Sequence, residues 1–102
     1  MQIIASMTEL DSLLQNSKVP VLIDFFATWC GPCQMLSPVL EEVATELGGA
    51  CTIVKVDVDA LPDAARRFHI SVIPTLILWK DGKEARKSVG FLSKDEVKRL
   101  LQ

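Results

Sequence analysis

The chain has 102 residues, 49% of them hydrophobic and 24% charged, with a formal net charge of -2. That length holds a single domain, 1–102, and the composition excludes a disordered chain. The slight acidity argues against nucleic acid as a partner, since phosphate binding needs concentrated positive charge. The longest apolar run, Leu76 to Trp79, falls far short of the ~18–20 residues of a membrane span.

The first residues carry neither a basic stretch nor a long apolar one, so no secretory signal is expected. Ser6 and Glu9 form a capping-box pattern. Met7, Leu10, Leu13 and Leu14 then recur at helical spacing, which predicts a helix over 7–16. From Val19 to Ala27 the chain is apolar except for Pro20 and Asp24, the pattern of a strand buried on both faces, as in a parallel sheet. Leu36, Leu40, Val43 and Leu47 line one face of a helix over 32–47, which Gly48 and Gly49 end. Thr52 to Val58 reads as the next strand, completing a right-handed βαβ crossover.

Asp59 is placed to cap a third helix, with Leu61, Ala64, Ala65 and Phe68 inward. Thr75 to Lys80 forms a further strand. The Asp81-Gly82 pair turns it into an antiparallel, polar and therefore edge strand over 84–89. Ser93 and Glu96 form a second capping box before a last helix. Residues 2–5 could add an edge or a central strand. The order of elements is that of an α/β fold, a mixed sheet with helices on both faces.

Three cysteines do not read as a secreted disulfide framework; a cytoplasmic setting is expected instead, with redox or metal chemistry at Cys30 and Cys33. Zinc is the weaker reading. A structural site needs four ligands, and only Cys51 and His69 remain beyond the pair, without a second paired spacing. Cys51 reads as a small buried hydrophobe, and His69 receives no catalytic role.

The pair sits where a buried strand gives way to a helix. Pro32 suits a first helical turn, where its missing N–H costs nothing. Cys30 then lies at the exposed helix start and Cys33 almost one turn in, with Cα atoms about 5 Å apart, within disulfide range. The unpaired N–H groups and the helix dipole favour a thiolate at Cys30, the predicted nucleophile. Cys33 is the predicted resolving thiol. A proline rather than a cation between the cysteines favours a reductant over an oxidant.

Asp24 is a carboxylate inside an apolar strand, six residues before Cys30. Two readings stand. Lys55 on the neighbouring strand neutralises it, or it serves as proton acceptor and donor for Cys33, with Lys55 modulating it.

Over its full length the chain resembles the thioredoxin family. The residues that carry the resemblance run from Asp24 through Trp29-Cys30-Gly31-Pro32-Cys33, then Pro38, Lys55-Val56-Asp57, Ile73-Pro74-Thr75, Asp81-Gly82 and Gly90. The resemblance implies a thioredoxin fold, a central five-stranded mixed sheet flanked by four helices. It implies a general protein-disulfide reductase that acts on disulfide-containing proteins and is recharged by thioredoxin reductase. No cofactor beyond the Cys30–Cys33 disulfide and no bound metal are expected, and the chain is expected to be a monomer.

The resemblance also makes Pro74 a cis-proline, leaving Ile73 free to pair with an extended substrate. Trp29, Gly31, Pro32, Ile73 and Pro74, with Val89, Gly90 and Phe91, would form an apolar docking surface, although Val89 and Phe91 read equally as core. Gln34 departs from the family by replacing a common basic residue, and Phe26 by replacing a common second tryptophan. A second function class stays open, a binding subunit that uses this surface while its redox chemistry is incidental.

Overall fold

A computed structural model describes residues 1–102 in full. In chain order the elements are β1 (Gln2–Ile3), α1 (Met7–Asn16), β2 (Val21–Phe26), α2 (Gly31–Leu47), β3 (Thr52–Asp57), α3 (Pro62–Arg67), β4 (Thr75–Lys80), β5 (Lys83–Val89) and α4 (Lys94–Leu100). They build one five-stranded sheet in the order β1-β3-β2-β4-β5. β3 runs parallel to both β1 and β2, while β4 runs antiparallel to β2 and β5. The central strand is buried at every residue, as its apolar run predicts, but its two neighbours run in opposite directions. Residues 2–5 supply only a two-residue edge strand.

Each local signal has a visible cause. The Ser6 hydroxyl accepts the Glu9 N–H and caps α1, while the Glu9 carboxylate reaches back to the Ala5 N–H. At α4 the capping box closes reciprocally between Ser93 and Glu96. Gly48, at φ +58°, ends α2 in a conformation that side chains disfavour. Asp81 and Gly82 both have positive φ, the geometry of a two-residue hairpin whose twist matches the flanking strands. Pro38 lies inside α2 without breaking it. It sits on the exposed side of the helix, where an unmade backbone bond is open to water.

One expected cap is absent. α3 begins at Pro62 after Leu61, with no side-chain cap, so Asp59 does not start this helix. The Asp57 carboxylate instead accepts the N–H groups of Asp59 and Ala60 and folds the segment into a turn before Pro62 sets the first helical φ. That turn frees the Asp59 side chain for another partner.

The alternation of β2 divides the interior into two layers. Val21, Ile23 and Phe25 face a core shared with Leu10 of α1 and Ala64 of α3. Leu22 faces the other core, with Leu36, Leu40 and Val43 of α2 and Val97 of α4. Asp24 and Phe26 follow Leu22 on this second side, so the strand carries a carboxylate beneath α2.

Candidate active site

β2 delivers the chain to Ala27, and the Cys30 N–H donates to the Ala27 carbonyl at 3.2 Å, turning it into α2. Cys30 is the N-cap. Its Sγ accepts the Cys33 N–H at 3.3 Å, so a sulfur takes the place that a Ser or Asp oxygen usually fills. Gly31 and Pro32 occupy the exposed first turn. Cys30 and Cys33 are joined in a disulfide with Cα atoms 5.3 Å apart, close to the separation expected from helix geometry.

The exposed position expected for Cys30 needs correction. Cys30 is 5% exposed and Cys33 2%, so both are buried. Phe26 and Ala27 pack around the pair, with Val58 and Ile73 alongside. The Ile73 carbonyl oxygen lies 3.9 Å from Cys30 Sγ. The difference between the two cysteines therefore lies in their place on the helix more than in their exposure.

The Ile73–Pro74 bond is cis. Pro74 is buried and its carbonyl accepts the Gly90 N–H, while the Ile73 peptide groups take part in none of the backbone hydrogen bonds of the fold. Gly90 has φ +95°, which only glycine adopts freely. Of the two residues that also read as core, Val89 is 56% and Phe91 43% exposed; both belong to the surface. Trp29, at 70% exposure, stands beside the disulfide, and its indole N–H donates to the Asp59 carboxylate at 2.8 Å.

Sequence reasoning missed three residues here. Met35, on α2 two residues after Cys33, and Val72, two residues before the cis-proline, are exposed apolar residues. Met35 falls outside the Leu36-Leu40-Val43-Leu47 stripe, and that was the available signal. Asp59 offered none, because its partner is thirty residues away in the chain.

Asp24 is fully buried, and neither carboxylate oxygen has a hydrogen-bond partner. Burial pushes its pKa from 3.8 up to about 6, against the opposing pull of the Lys55 charge. Lys55 stands opposite Asp24 in the β2–β3 register, yet its ammonium makes no bond to the carboxylate. It donates to Ser37 Oγ at 3.1 Å and lies 4.4 Å from the centre of the Phe26 ring. The neutralising ion pair is therefore not formed; Lys55 acts on Asp24 through space.

The remaining candidates lie elsewhere. Cys51 packs partly buried against the α2-side core, and burial pushes its thiol pKa up. His69 follows α3 in a left-handed conformation. No group of three or more His, Cys, Asp or Glu side chains is gathered to hold a metal ion. No helix is long and apolar enough to cross a membrane.

A disulfide closed across the first turn of a helix, at the end of the central strand of this sheet, defines a thiol–disulfide oxidoreductase. The chain belongs to the thioredoxin family, whose sequence profile matches residues 2–102. It is 58% identical over 81 residues to thioredoxin of Chlamydia muridarum, covering 79% of this chain and 78% of that protein. It is 46% identical over 102 residues to thioredoxin of Mycoplasmoides gallisepticum, covering 100% of both. The solved structure of Plasmodium falciparum thioredoxin superposes with a TM-score of 0.91 at 31% identity, over 99% of this chain and 96% of that one. The chain is a protein-disulfide reductase, and its family works through a redox-active disulfide without an external cofactor.

Proposed function

We propose that the chain works as a one-domain, monomeric dithiol carrier in the cytoplasm, reducing disulfides of other proteins and being recharged by thioredoxin reductase. One observation carries the mechanism: Cys30 caps α2 with its sulfur, disulfide-bonded to Cys33, and a buried carboxylate without partners lies on the strand leading into them. In the reduced protein the helix dipole and the Cys33 N–H favour a thiolate at Cys30. That thiolate attacks one sulfur of a substrate disulfide, and the other sulfur leaves as a thiolate that takes a proton from water.

Cys33 then gives its proton to the Asp24 carboxylate and attacks Cys30 Sγ. The Cys30–substrate bond breaks as the Cys30–Cys33 bond forms, and the second substrate sulfur leaves with the proton returned by Asp24. Two electrons have passed to the substrate. A pKa of about 6 keeps Asp24 ionised at neutral pH and makes it a stronger base than an ordinary carboxylate. Lys55 limits that rise.

Docking precedes exchange. Trp29, Val89 and Phe91 offer exposed apolar area beside the disulfide. Gly31 and Gly90 allow a partner backbone to approach, and the Ile73 peptide groups, which make no backbone hydrogen bond within the fold, pair with an extended segment next to the cis Pro74. The test is reduction of insulin with dithiothreitol as electron source. The wild type should accelerate precipitation of the insulin B chain, and a Cys30→Ser, Cys33→Ser variant should not. A double variant as active as wild type would refute the dithiol mechanism. A cellular role that survives the double substitution would favour the binding-subunit reading.

A further inference from the structure

Lys55 presents a choice of partners. Its ammonium is held on the same side of the sheet as the Asp24 carboxylate, on the adjacent strand and in direct register. Asp24 has two buried oxygens and no donor. An ammonium next to an unpartnered buried carboxylate should bond to it, because a charge-assisted hydrogen bond is stronger than one to a neutral hydroxyl. Lys55 is instead bonded to Ser37 Oγ at 3.1 Å, with the Phe26 ring 4.4 Å away. Ser37 lies on α2, one turn beyond Cys33, so the helix that carries the resolving thiol also carries the group that engages the lysine.

The surroundings leave few other ways to influence Asp24. The β4 residue opposite it is Leu76, which is apolar. On β3 the same side carries Lys55 and Asp57, and the Asp57 carboxylate is occupied by the Asp59 and Ala60 N–H groups. On α2, Cys33 is held in the disulfide, and Glu41, Glu42 and Glu46 lie farther along on the exposed side. On α4, Lys94 and Lys98 are engaged by Glu46. Lys55 is thus the one charge that acts on Asp24. A cleft of about 320 Å³, whose lining includes Phe26, Cys33, Ser37 and Lys55, lies on this side of the resolving cysteine.

We propose that Ser37 is a positioning residue for the exchange reaction: by accepting the Lys55 ammonium it holds that charge off Asp24 and keeps the carboxylate a strong enough base to deprotonate Cys33. The inference rests on the reading of Asp24 as proton acceptor for Cys33, and the two separate experimentally. Loss of the Ser37 hydroxyl frees the Lys55 ammonium, and the acceptor in direct register with it is the Asp24 carboxylate, which has no donor of its own. Contact with a cation favours the ionised carboxylate and lowers its pKa. Alanine is a good helix former, so the substitution leaves α2 intact.

The experiment follows the Asp24 side-chain carboxyl carbon by NMR against pH in the disulfide form of wild type, Ser37→Ala and Ser37→Thr. The rate at which Cys33 resolves a preformed Cys30 mixed disulfide is measured over the same pH range. Ser37→Ala should lower the Asp24 midpoint by about 1 pH unit, Ser37→Thr should restore it, and Ser37→Ala should have no effect on the midpoint in a Lys55→Met background. The inflection of the resolution rate should move down with the midpoint. An Asp24 midpoint that stays put or rises in Ser37→Ala overturns the proposal. A midpoint that falls while the rate profile stays fixed upholds Ser37 as the group that positions Lys55 and refutes Asp24 as the base.

Discussion

The two faces of β2 differ in kind although they alternate along six residues. Val21, Ile23 and Phe25 enter a wholly apolar core with α1 and α3. On the other face Leu22 begins in an equally apolar core, but Asp24 and Phe26 lead toward the disulfide, and Asp24 is buried without a partner. The first face contributes stability through area removed from water and close packing. The second gives up stability at one position, because a buried carboxylate must be desolvated. In the proposed mechanism that sacrifice serves proton transfer to and from Cys33.

The sharpest break in this comparison is chemical. Cys30→Ser should abolish disulfide reduction, whereas Cys33→Ser should retain the first attack and accumulate mixed disulfides with substrates, because the intramolecular exit is gone. Mass spectrometry of trapped adducts checks this. Equal trapping by Cys30→Ser would reverse the two roles.

Stability distinguishes the faces next. Phe25→Ala should cost about 3–5 kcal/mol at every pH, since it removes apolar packing alone. Asp24→Asn should behave differently. The folded pKa of Asp24, about 6, lies above its ordinary 3.8. The stability that its proton contributes is therefore fully present below about 3.8 and is lost as pH rises to about 6. Asp24→Asn should remove that loss, so its effect should be more stabilising at pH 8 than at pH 4 by about 2 kcal/mol. Denaturant melts of both variants at the two pH values measure it. A pH-independent Asp24→Asn effect would place Asp24 with the apolar face.

A smaller effect is expected at the surface where the second face emerges. Trp29→Ala should raise KM for a protein substrate about tenfold, the range of a modest interface hot spot, and should leave the thermal midpoint nearly unchanged because the side chain is exposed. Steady-state kinetics with insulin checks it. An unchanged KM would remove Trp29 from the docking surface.

Much of this was legible in the residues because the causes are local. The Ser6 cap, the capping box at Ser93, the Asp81-Gly82 hairpin and the glycine stop at Gly48 each depend on a few neighbouring positions. The cysteine separation follows from helix geometry once Pro32 marks the first turn. What was not legible depends on contacts distant in the chain. Asp59 has the residue type of a cap, but the turn made by Asp57 directs it to Trp29. Cys30 is at a helix start, but Ile73 comes from 43 residues away to cover it. The strand pattern sets Asp24 and Lys55 on neighbouring strands, yet only the packing of α2 shows that Ser37 takes the ammonium.

The central claim is that Asp24 accepts the Cys33 proton, and the rate of Cys33 attack on a preformed Cys30 mixed disulfide tests it most directly. In the wild type this rate should fall as pH drops through about 6, where Asp24 becomes protonated. In Asp24→Asn it should be about 100-fold lower near neutral pH, with that inflection gone. A variant that resolves the mixed disulfide at the wild-type rate, with the same inflection, would contradict the account.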